Sequence, residues 1–246
     1  MVNPRPAHSE PRAALRSPRH VAAVLIPIAI FVISALGIAA LTDVPVASDV
    51  ERGQGVSRAA IAIRDDVIPF QKFGTRIFTE PLLERGYDEV HYFTERAWGQ
   101  QHGPFVDALR GALSRHSRVD VFLLAHSNSY LSWVQEIEPD LRARIRLVYN
   151  TGCQDARQSQ GWIEAGADTY VGHPGLSASP VFYFYFLRRW ARGQPLEVAR
   201  AASNARMRIL LDRIAPLSMG VLDAEVIFKD SEAMHFGREE LDIAAP

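Results

Sequence analysis

Two residues whose side chains can perform chemistry each follow a short apolar stretch of the sequence. Residues 119 to 125 lead directly to His126, and residues 145 to 149 are followed by three small or polar residues and then by Cys153, the single cysteine of the chain. An imidazole beside a thiol stabilises the thiolate and can later donate a proton to a leaving group. The pair therefore predicts attack by Cys153 on a carbonyl carbon, with His126 as general base and acid.

Short apolar stretches between polar residues are typical of buried strands in a parallel sheet, and α/β proteins carry their chemistry at the carboxyl ends of such strands. We therefore expect His126 and Cys153 to meet at one edge of a sheet. Backbone amides at Ser127 and at Gly152 and Cys153 would then face the developing oxyanion. Gly152 would also let the chain turn sharply before the nucleophile, because glycine tolerates backbone angles that other residues resist.

The elements that must position these residues alternate between strand and helix patterns. Strand patterns cover residues 60 to 63, 89 to 93, 119 to 125, 145 to 149 and 169 to 172, and residues 221 to 228 have the propensity of a last strand. Helical spacing covers residues 75 to 85, 104 to 116, 129 to 142, 160 to 165, 180 to 192 and 196 to 214. This alternation predicts a three-layer α/β/α fold with a mainly parallel sheet.

The first 58 residues differ in composition from the rest. Residues 1 to 20 form a basic tail, residues 21 to 41 are uncharged and long enough to cross a bilayer, and residues 42 to 58 have the composition of a linker. Basic residues precede the apolar segment, so the positive-inside rule predicts a signal anchor with a cytoplasmic N-terminus and an extracytoplasmic domain at residues 59 to 246. A cleaved signal peptide and a buried soluble helix are the alternatives, although the apolar region of a signal peptide usually has about 7 to 15 residues.

Composition limits the remaining classes of function. The chain has 246 residues and a formal net charge of −1, which argues against a nucleic-acid partner. One cysteine cannot close an intramolecular disulfide. The basic residues are almost all arginine, and alanine is abundant, which is typical of a GC-rich bacterial genome.

Three other residues are candidates for substrate contact. His173 follows the strand pattern at residues 169 to 172, Asp155 closely follows Cys153, and Asp65 ends the first strand pattern. The two carboxylates also have simpler interpretations, as a solvated loop residue for Asp65 and a helix cap for Asp155. The remaining histidines have no spacing typical of a metal site, and no glycine-rich phosphate loop follows the first strand, so we expect neither a metal nor a cofactor.

The order strand, His, helix, strand, Cys resembles the caspase-like cysteine peptidases of clan CD, which include caspases, metacaspases, legumain, gingipains, separase and CHAT domains. In that group a His-Gly pair ends one strand and the catalytic Cys ends the next. His126 and Ser127 match this pair except that Ser replaces Gly, and residues 150 to 153 match the second motif in position and small-residue character. Residues 166 to 172 and 186 to 199 are similar to the segments that follow the nucleophile in CHAT-type domains.

The resemblance implies a caspase-like fold and a membrane-anchored cysteine endopeptidase that cleaves a peptide or protein substrate with the dyad His126 and Cys153, without a cofactor. A second hypothesis is a catalytically inactive caspase-like domain that binds a peptide or protein partner for sensing or scaffolding. A third is a flavodoxin-like or other small-ligand-binding domain.

Overall fold

The described part of the chain comprises residues 57–65, 79–97, 99–125, 130–175, 179–218, 223–238, 240–241 and 243 of a computed structural model. These residues all belong to the compact unit Pro45–Pro246. The expected basic tail, the expected transmembrane segment at residues 21 to 41 and most of the expected linker lie outside them. In the described ranges, no helix is long and apolar enough to cross a membrane.

Strands and helices alternate along the described chain. The strands are β1 (Arg58–Arg64), β2 (Glu89–Thr94), β3 (Arg118–Leu124), β4 (Ile145–Asn150), β5 (Thr169–Gly172) and β6 (Met234–Gly237). The helices are α1 (residues 79 to 86), α2 (His102–Arg115), α3 (Tyr130–Val134), α4 (Pro139–Arg142), α5 (Ser159–Glu164), α6 (Ser179–Trp190), α7 (Leu196–Ile214) and α8 (Ala224–Ser231). Short 3-10 helices cover Asp155–Gln158 and Ala215–Ser218.

The six strands form one sheet in the order β2-β1-β3-β4-β5-β6. All neighbouring pairs from β2 to β5 are parallel, and β6 pairs with β5 in the antiparallel direction. The predicted mainly parallel α/β sheet is therefore confirmed. The carboxyl ends of β1 to β5 all point toward the same edge, where the candidate site residues follow the strands.

Both faces of the sheet are covered, which gives the molecule three layers. On β1, Ile61 and Ile63 pack into a core cluster with residues of α2, while Ala60 and Ala62 pack into a second cluster with residues of α6 and α7. Side chains alternate between the two faces of a strand, so a strand that is buried on both faces is apolar throughout. This explains why the buried strands were visible in the sequence as continuous apolar stretches.

A buried ion pair joins β3 to β4 within the second cluster. The guanidinium of Arg146 donates from Nε to Asp120 Oδ1 at 2.9 Å and from Nη2 to Asp120 Oδ2 at 2.6 Å. The hydroxyl of Tyr87 also donates to Asp120 Oδ2, at 2.5 Å, and it accepts a hydrogen bond from Trp190 Nε1 at 2.7 Å. Every polar atom of the Asp120 carboxylate is thus paired, as a buried charge requires.

The single helix predicted over residues 129 to 142 is wrong, because the chain forms two short helices, α3 and α4. Pro139 begins α4, and Glu138 before it has an extended backbone with φ −56° and ψ 136°. A proline disfavours the helical conformation of the preceding residue, so one continuous helix cannot pass this point.

The last strand predicted over residues 221 to 228 is also wrong. Residues 221 and 222 lie outside the described residues, and the helix α8 occupies the rest of this range. Asp223 caps the helix, since its Oδ1 accepts hydrogen bonds from the amides of Glu225 at 3.0 Å and Val226 at 3.1 Å. The last strand is β6, which follows this helix.

Candidate active site

The carboxyl ends of β3 and β4 lie side by side at the edge of the sheet. Leu123 pairs with Asn150, and the amide of Thr151 donates to the carbonyl of Leu123 at 2.9 Å, which continues the pairing beyond β4. Cys153 follows at this edge. His126 and Ser127 come directly after Ala125, but they lie outside the described residues. Their approach to Cys153 therefore stays a prediction.

Cys153 sits half-buried, as a free thiol, in a tight turn. Asn150 Oδ1 accepts the amide of Gly152 at 3.0 Å, and Gln154 has the left-handed backbone with φ 58°. Gly152 is not among the residues with positive φ, so the expectation that its backbone freedom makes the turn is wrong. Within the described part of the chain, the amide of Cys153 has no hydrogen-bond partner. This amide is thus the better candidate for an oxyanion donor than the amide of Gly152.

Asp155, a candidate for substrate contact, is fully buried behind this turn. Its Oδ1 accepts the backbone amide of His173 at 2.5 Å, and among the described residues Oδ2 has no partner. Burial raises the pKa of the Asp155 carboxyl to about 8, and the facing amides of His173 and Gly152 offset only part of this effect. Asp155 is therefore mainly a neutral carboxylic acid at neutral pH, and substrate contact by its side chain stays a prediction.

His173, a second candidate, is also fully buried. Its Nδ1 lies 2.7 Å from the carbonyl oxygen of Ser231, and because a carbonyl only accepts, Nδ1 carries the proton. Nε2 is then an unprotonated acceptor, which has no partner among the described residues. Burial lowers the pKa of His173 to about 4, so the ring is neutral at neutral pH. The ring packs against Tyr149 and Phe182, away from solvent.

Asp65, the third candidate, belongs to a buried acidic cluster at the ends of β1 and β2. Its amide donates to the carbonyl of Leu124 at 3.2 Å. Glu95, directly after β2, accepts the hydroxyl of Tyr130 at 3.0 Å. Burial, and then the charges of Asp65 and Glu95, raise the pKa of Tyr130 above its ordinary value. Leu124 and Tyr130 lie on either side of residues 126 to 129, so this cluster borders the segment that contains His126.

Sequence reasoning missed three polar residues at this edge, which are Glu95, Tyr130 and Arg64. Arg64 ends β1 on the opposite face from Asp65, is buried, and donates from Nη1 to the carbonyl of Asp65 at 3.3 Å. A detectable signal existed for two of them, because Arg64 directly follows the strand pattern at residues 60 to 63, and Glu95 lies two positions after the pattern at residues 89 to 93. Nothing in the sequence marks Tyr130, whose role depends on its contact with Glu95.

The described residues contain no group of three His, Cys, Asp or Glu side chains arranged to hold a metal ion. Among the described residues, the polar groups bonded to the turn that carries Cys153 include the side chains of Asn150 and Asp155 and the backbone of His173 and Gly175.

No family model matches the chain, and a search of curated proteins finds no significant match. Among solved structures, this chain is similar to drICE, a caspase. The match to the drICE crystal structure has a TM-score of 0.38 and 10% sequence identity, and it covers 76% of this chain and 90% of that chain. A TM-score this low does not support a shared mechanism, so the chemistry of this chain rests on its own residues.

The turn at Cys153 has two features that suit a thiol nucleophile. The residue is half-buried and not enclosed in the core, and its amide, which has no partner among the described residues, could donate to an oxyanion formed beside it. Gln154 adopts an uncommon backbone conformation, and its amide is held by the carbonyl of Gly175 at 3.0 Å. Non-glycine residues with positive φ are infrequent and occur preferentially at functional turns.

Proposed function

We propose that the chain is a caspase-like cysteine endopeptidase in which Cys153 is the nucleophile and His126 is the general base and acid. The observation that supports this most is the position of Cys153, half-buried at the end of β4 beside β3, the strand that leads to His126. Adjacent parallel strands lie about 4.8 Å apart, so residues that follow them can come within hydrogen-bond reach.

The proposed reaction has two steps. His126 accepts the proton of the Cys153 thiol, and the thiolate attacks the carbonyl carbon of the scissile peptide bond. The tetrahedral oxyanion is stabilised by the amide of Cys153 and by an amide at Ser127, and it collapses to a thioester as His126 protonates the departing amine. Water then attacks the thioester with His126 as base, which releases the carboxylate product and the free thiol.

Alkylation of Cys153 tests the dyad directly, because the chain has a single cysteine and labelling is therefore specific to that site. The rate of reaction with iodoacetamide is measured from pH 5 to 10 on the full-length protein and on His126→Ala. We expect the wild-type rate to rise with a midpoint well below the pKa of about 8.5 of a free thiol, and the variant to react at least about tenfold more slowly near pH 7.

The His91→Ala variant is a matched control, since it removes an imidazole from within the edge strand β2, away from the carboxyl ends of β3 and β4. If His126→Ala and His91→Ala are both alkylated at the wild-type rate, the proposed dyad is refuted. The protein would then be better described by the alternative function, a caspase-like sensing or scaffolding domain that binds a peptide or protein partner. A rate that depends on His126 would justify a search for the cleaved sequence with a peptide library.

We also propose that residues 21 to 41 anchor the protein in a membrane, with the N-terminus in the cytoplasm and the folded domain outside it. The uncharged length of this segment supports a span, and the basic residues that precede it support this orientation. The peptidase would then act on extracytoplasmic peptides or proteins.

A further inference from the structure

The turn that carries Cys153 is bonded to the chain that leaves the neighbouring strand β5. The amide of Gln154 donates to the carbonyl of Gly175 at 3.0 Å, and the amide of Ala156 donates to the carbonyl of His173 at 3.1 Å. These two bonds lie on either side of Asp155. The backbone around the candidate nucleophile therefore depends on the position of residues 173 to 175.

Asp155 makes a third connection between the same two segments, and it does so through its side chain. Oδ1 accepts the amide of His173 at 2.5 Å, and the backbone carbonyl of Asp155 accepts the hydroxyl of Tyr170 at 2.9 Å. The carboxyl packs closely against Gly172, where a Cβ atom would lie 3.0 Å from Oδ1 and 2.7 Å from Tyr170 Cε1. The missing side chain at Gly172 makes room for this contact.

His173 extends the connection to the end of α8. Its Nδ1–H donates to the carbonyl of Ser231 at 2.7 Å, and the amide of Gly175 donates to the carbonyl of Asp230 at 2.8 Å. A buried hydrogen-bonded path thus leads from the end of α8 through His173 and Asp155 to the residue beside Cys153. Buried polar groups of this kind keep a single arrangement, because breaking one bond leaves an unsatisfied group in the core.

We propose that Asp155 and His173 are positioning residues of the candidate nucleophile, which hold the Cys153 turn in the conformation that presents both its thiol and its amide to the substrate. This inference rests on the proposed function, because it assigns a role in placing the nucleophile of that reaction. It replaces direct substrate contact, which would require both fully buried side chains to move.

The charges of the residues along this hydrogen-bonded path affect how readily a thiolate forms at Cys153. The titratable groups that face Asp155 are Tyr149 from β4, Tyr170 from β5 and His173, and Arg200 from α7 acts on Tyr149. Burial raises the pKa of both tyrosines and lowers that of His173, so all three are neutral at neutral pH. A neutral carboxyl at Asp155 accepts the His173 amide without placing a buried negative charge two residues along the chain from the candidate nucleophile.

Two pairs of variants separate this role from simple packing. Asp155→Asn keeps an Oδ1 acceptor for the His173 amide, whereas Asp155→Ala removes it. His173→Asn keeps a donor near the position of Nδ1 for Ser231, whereas His173→Leu fills the site without one. Asp140→Ala is a control that removes an exposed carboxylate from α4. Each full-length protein is alkylated with iodoacetamide from pH 5 to 10, and near-ultraviolet circular dichroism reports whether the variant is folded.

We expect Asp155→Ala and His173→Leu to raise the midpoint of the alkylation profile by at least about one pH unit, which is a roughly tenfold loss of rate near pH 7. The asparagine variants should restore the wild-type midpoint, and Asp140→Ala should match the wild type. A purely structural role predicts a different result, in which the variants unfold at lower temperature while the profile of the folded protein stays unchanged.

The outcomes for the two proposals can be told apart. A wild-type profile that depends on His126 but not on the Asp155 acceptor would overturn the positioning role alone. A wild-type profile that does not depend on His126 would refute the dyad, and the rate at pH 10, where the thiol is ionised without help, still reports on the turn. At that pH, equal rates for Asp155→Ala, Asp155→Asn and the wild type would overturn the positioning role, and a slower rate for Asp155→Ala alone would support it. Should Asp155→Ala fail to fold, the His173 pair gives the same comparison.

Discussion

Replacing Asp155 by asparagine should remove the pH dependence of stability that this buried carboxyl imposes. In the folded protein burial raises the pKa of Asp155 to about 8 from its ordinary value of 3.8. At a pH between these two pKa values, the carboxyl of Asp155 has lost its proton in the unfolded chain and retains it in the folded chain. Stability therefore falls as pH rises through this window, and the loss is complete above the folded pKa. Asparagine cannot ionise, so it removes this dependence while it keeps an acceptor for the His173 amide.

The size of the effect follows from the rise in the pKa of Asp155 from 3.8 to about 8, because a pKa change of one unit corresponds to about 1.4 kcal/mol in the free energy of unfolding. The wild type should lose about 4 kcal/mol of stability between pH 4 and pH 7 through Asp155 alone. In the variant the side-chain NH2 takes the place of Oδ2, and neither group has a partner among the described residues. The two proteins should therefore have similar stability near pH 4, and Asp155→Asn should be the more stable one by about 4 kcal/mol at pH 7.

Urea unfolding of the full-length protein and the variant, followed by tryptophan fluorescence at pH 4 to 9, measures this difference. Other groups that titrate in this range, such as His173, are present in both proteins, so the difference between the two curves isolates Asp155. A difference that stays constant from pH 5 to pH 8 would show that the folded protein ionises Asp155 as readily as the unfolded chain. That result would refute the conclusion that the carboxyl is neutral beside Cys153.

Two further results are expected. Arg146→Met should destabilise the fold by about 3 to 5 kcal/mol in urea unfolding, because it leaves the buried carboxylate of Asp120 without its cation. The double variant Asp120→Leu with Arg146→Met should recover much of this loss. An Arg146→Met protein as stable as the wild type would contradict the pairing. Deleting residues 21 to 41 should move the protein from the carbonate-washed membrane pellet to the soluble fraction, and an unchanged distribution would exclude this segment as the anchor.

Elements with strong local patterns were predictable from the sequence. The strand at residues 169 to 172 and the helix at residues 196 to 214 have the predicted bounds, and the buried strands β1, β3 and β4 match their predicted positions to within two residues. The strands are buried on both faces of the sheet and the helix packs on one of them, so continuous apolar stretches and helical spacing record their structure. The break between α3 and α4 at Pro139 was also predictable from the local sequence, because proline disfavours a helical residue before it. The helical spacing of apolar residues on both sides nevertheless indicated a single helix.

The buried contacts of Asp155 and His173 behind the candidate site were not predictable from the sequence, because they join distant parts of the chain. Cys153 could be placed at a strand end from its neighbours alone. The partner of Asp155 lies 18 positions away, and the partner of His173 lies 58 positions away. The same two side chains in solvent would be an ionised carboxylate and a titrating imidazole. Only the fold shows that both are buried and neutral, and this changes the role that they can have.

The distribution of charge along the sheet edge gives the proposed dyad a physical basis. The backbone amide of Asp65 and the buried carboxylate of Glu95 contact residues that precede and follow the segment containing His126, and a negative charge near an imidazole favours its protonated form. Burial raises the pKa of the Asp155 carboxyl, two residues along the chain from Cys153, to about 8, which favours its neutral form at pH 7. Negative charge on the side of the base and none on the side of the nucleophile would favour transfer of the thiol proton to His126. The reverse distribution, with an ionised Asp155, would disfavour it, and for this reason the protonation state of Asp155 is the most informative property of the site to measure.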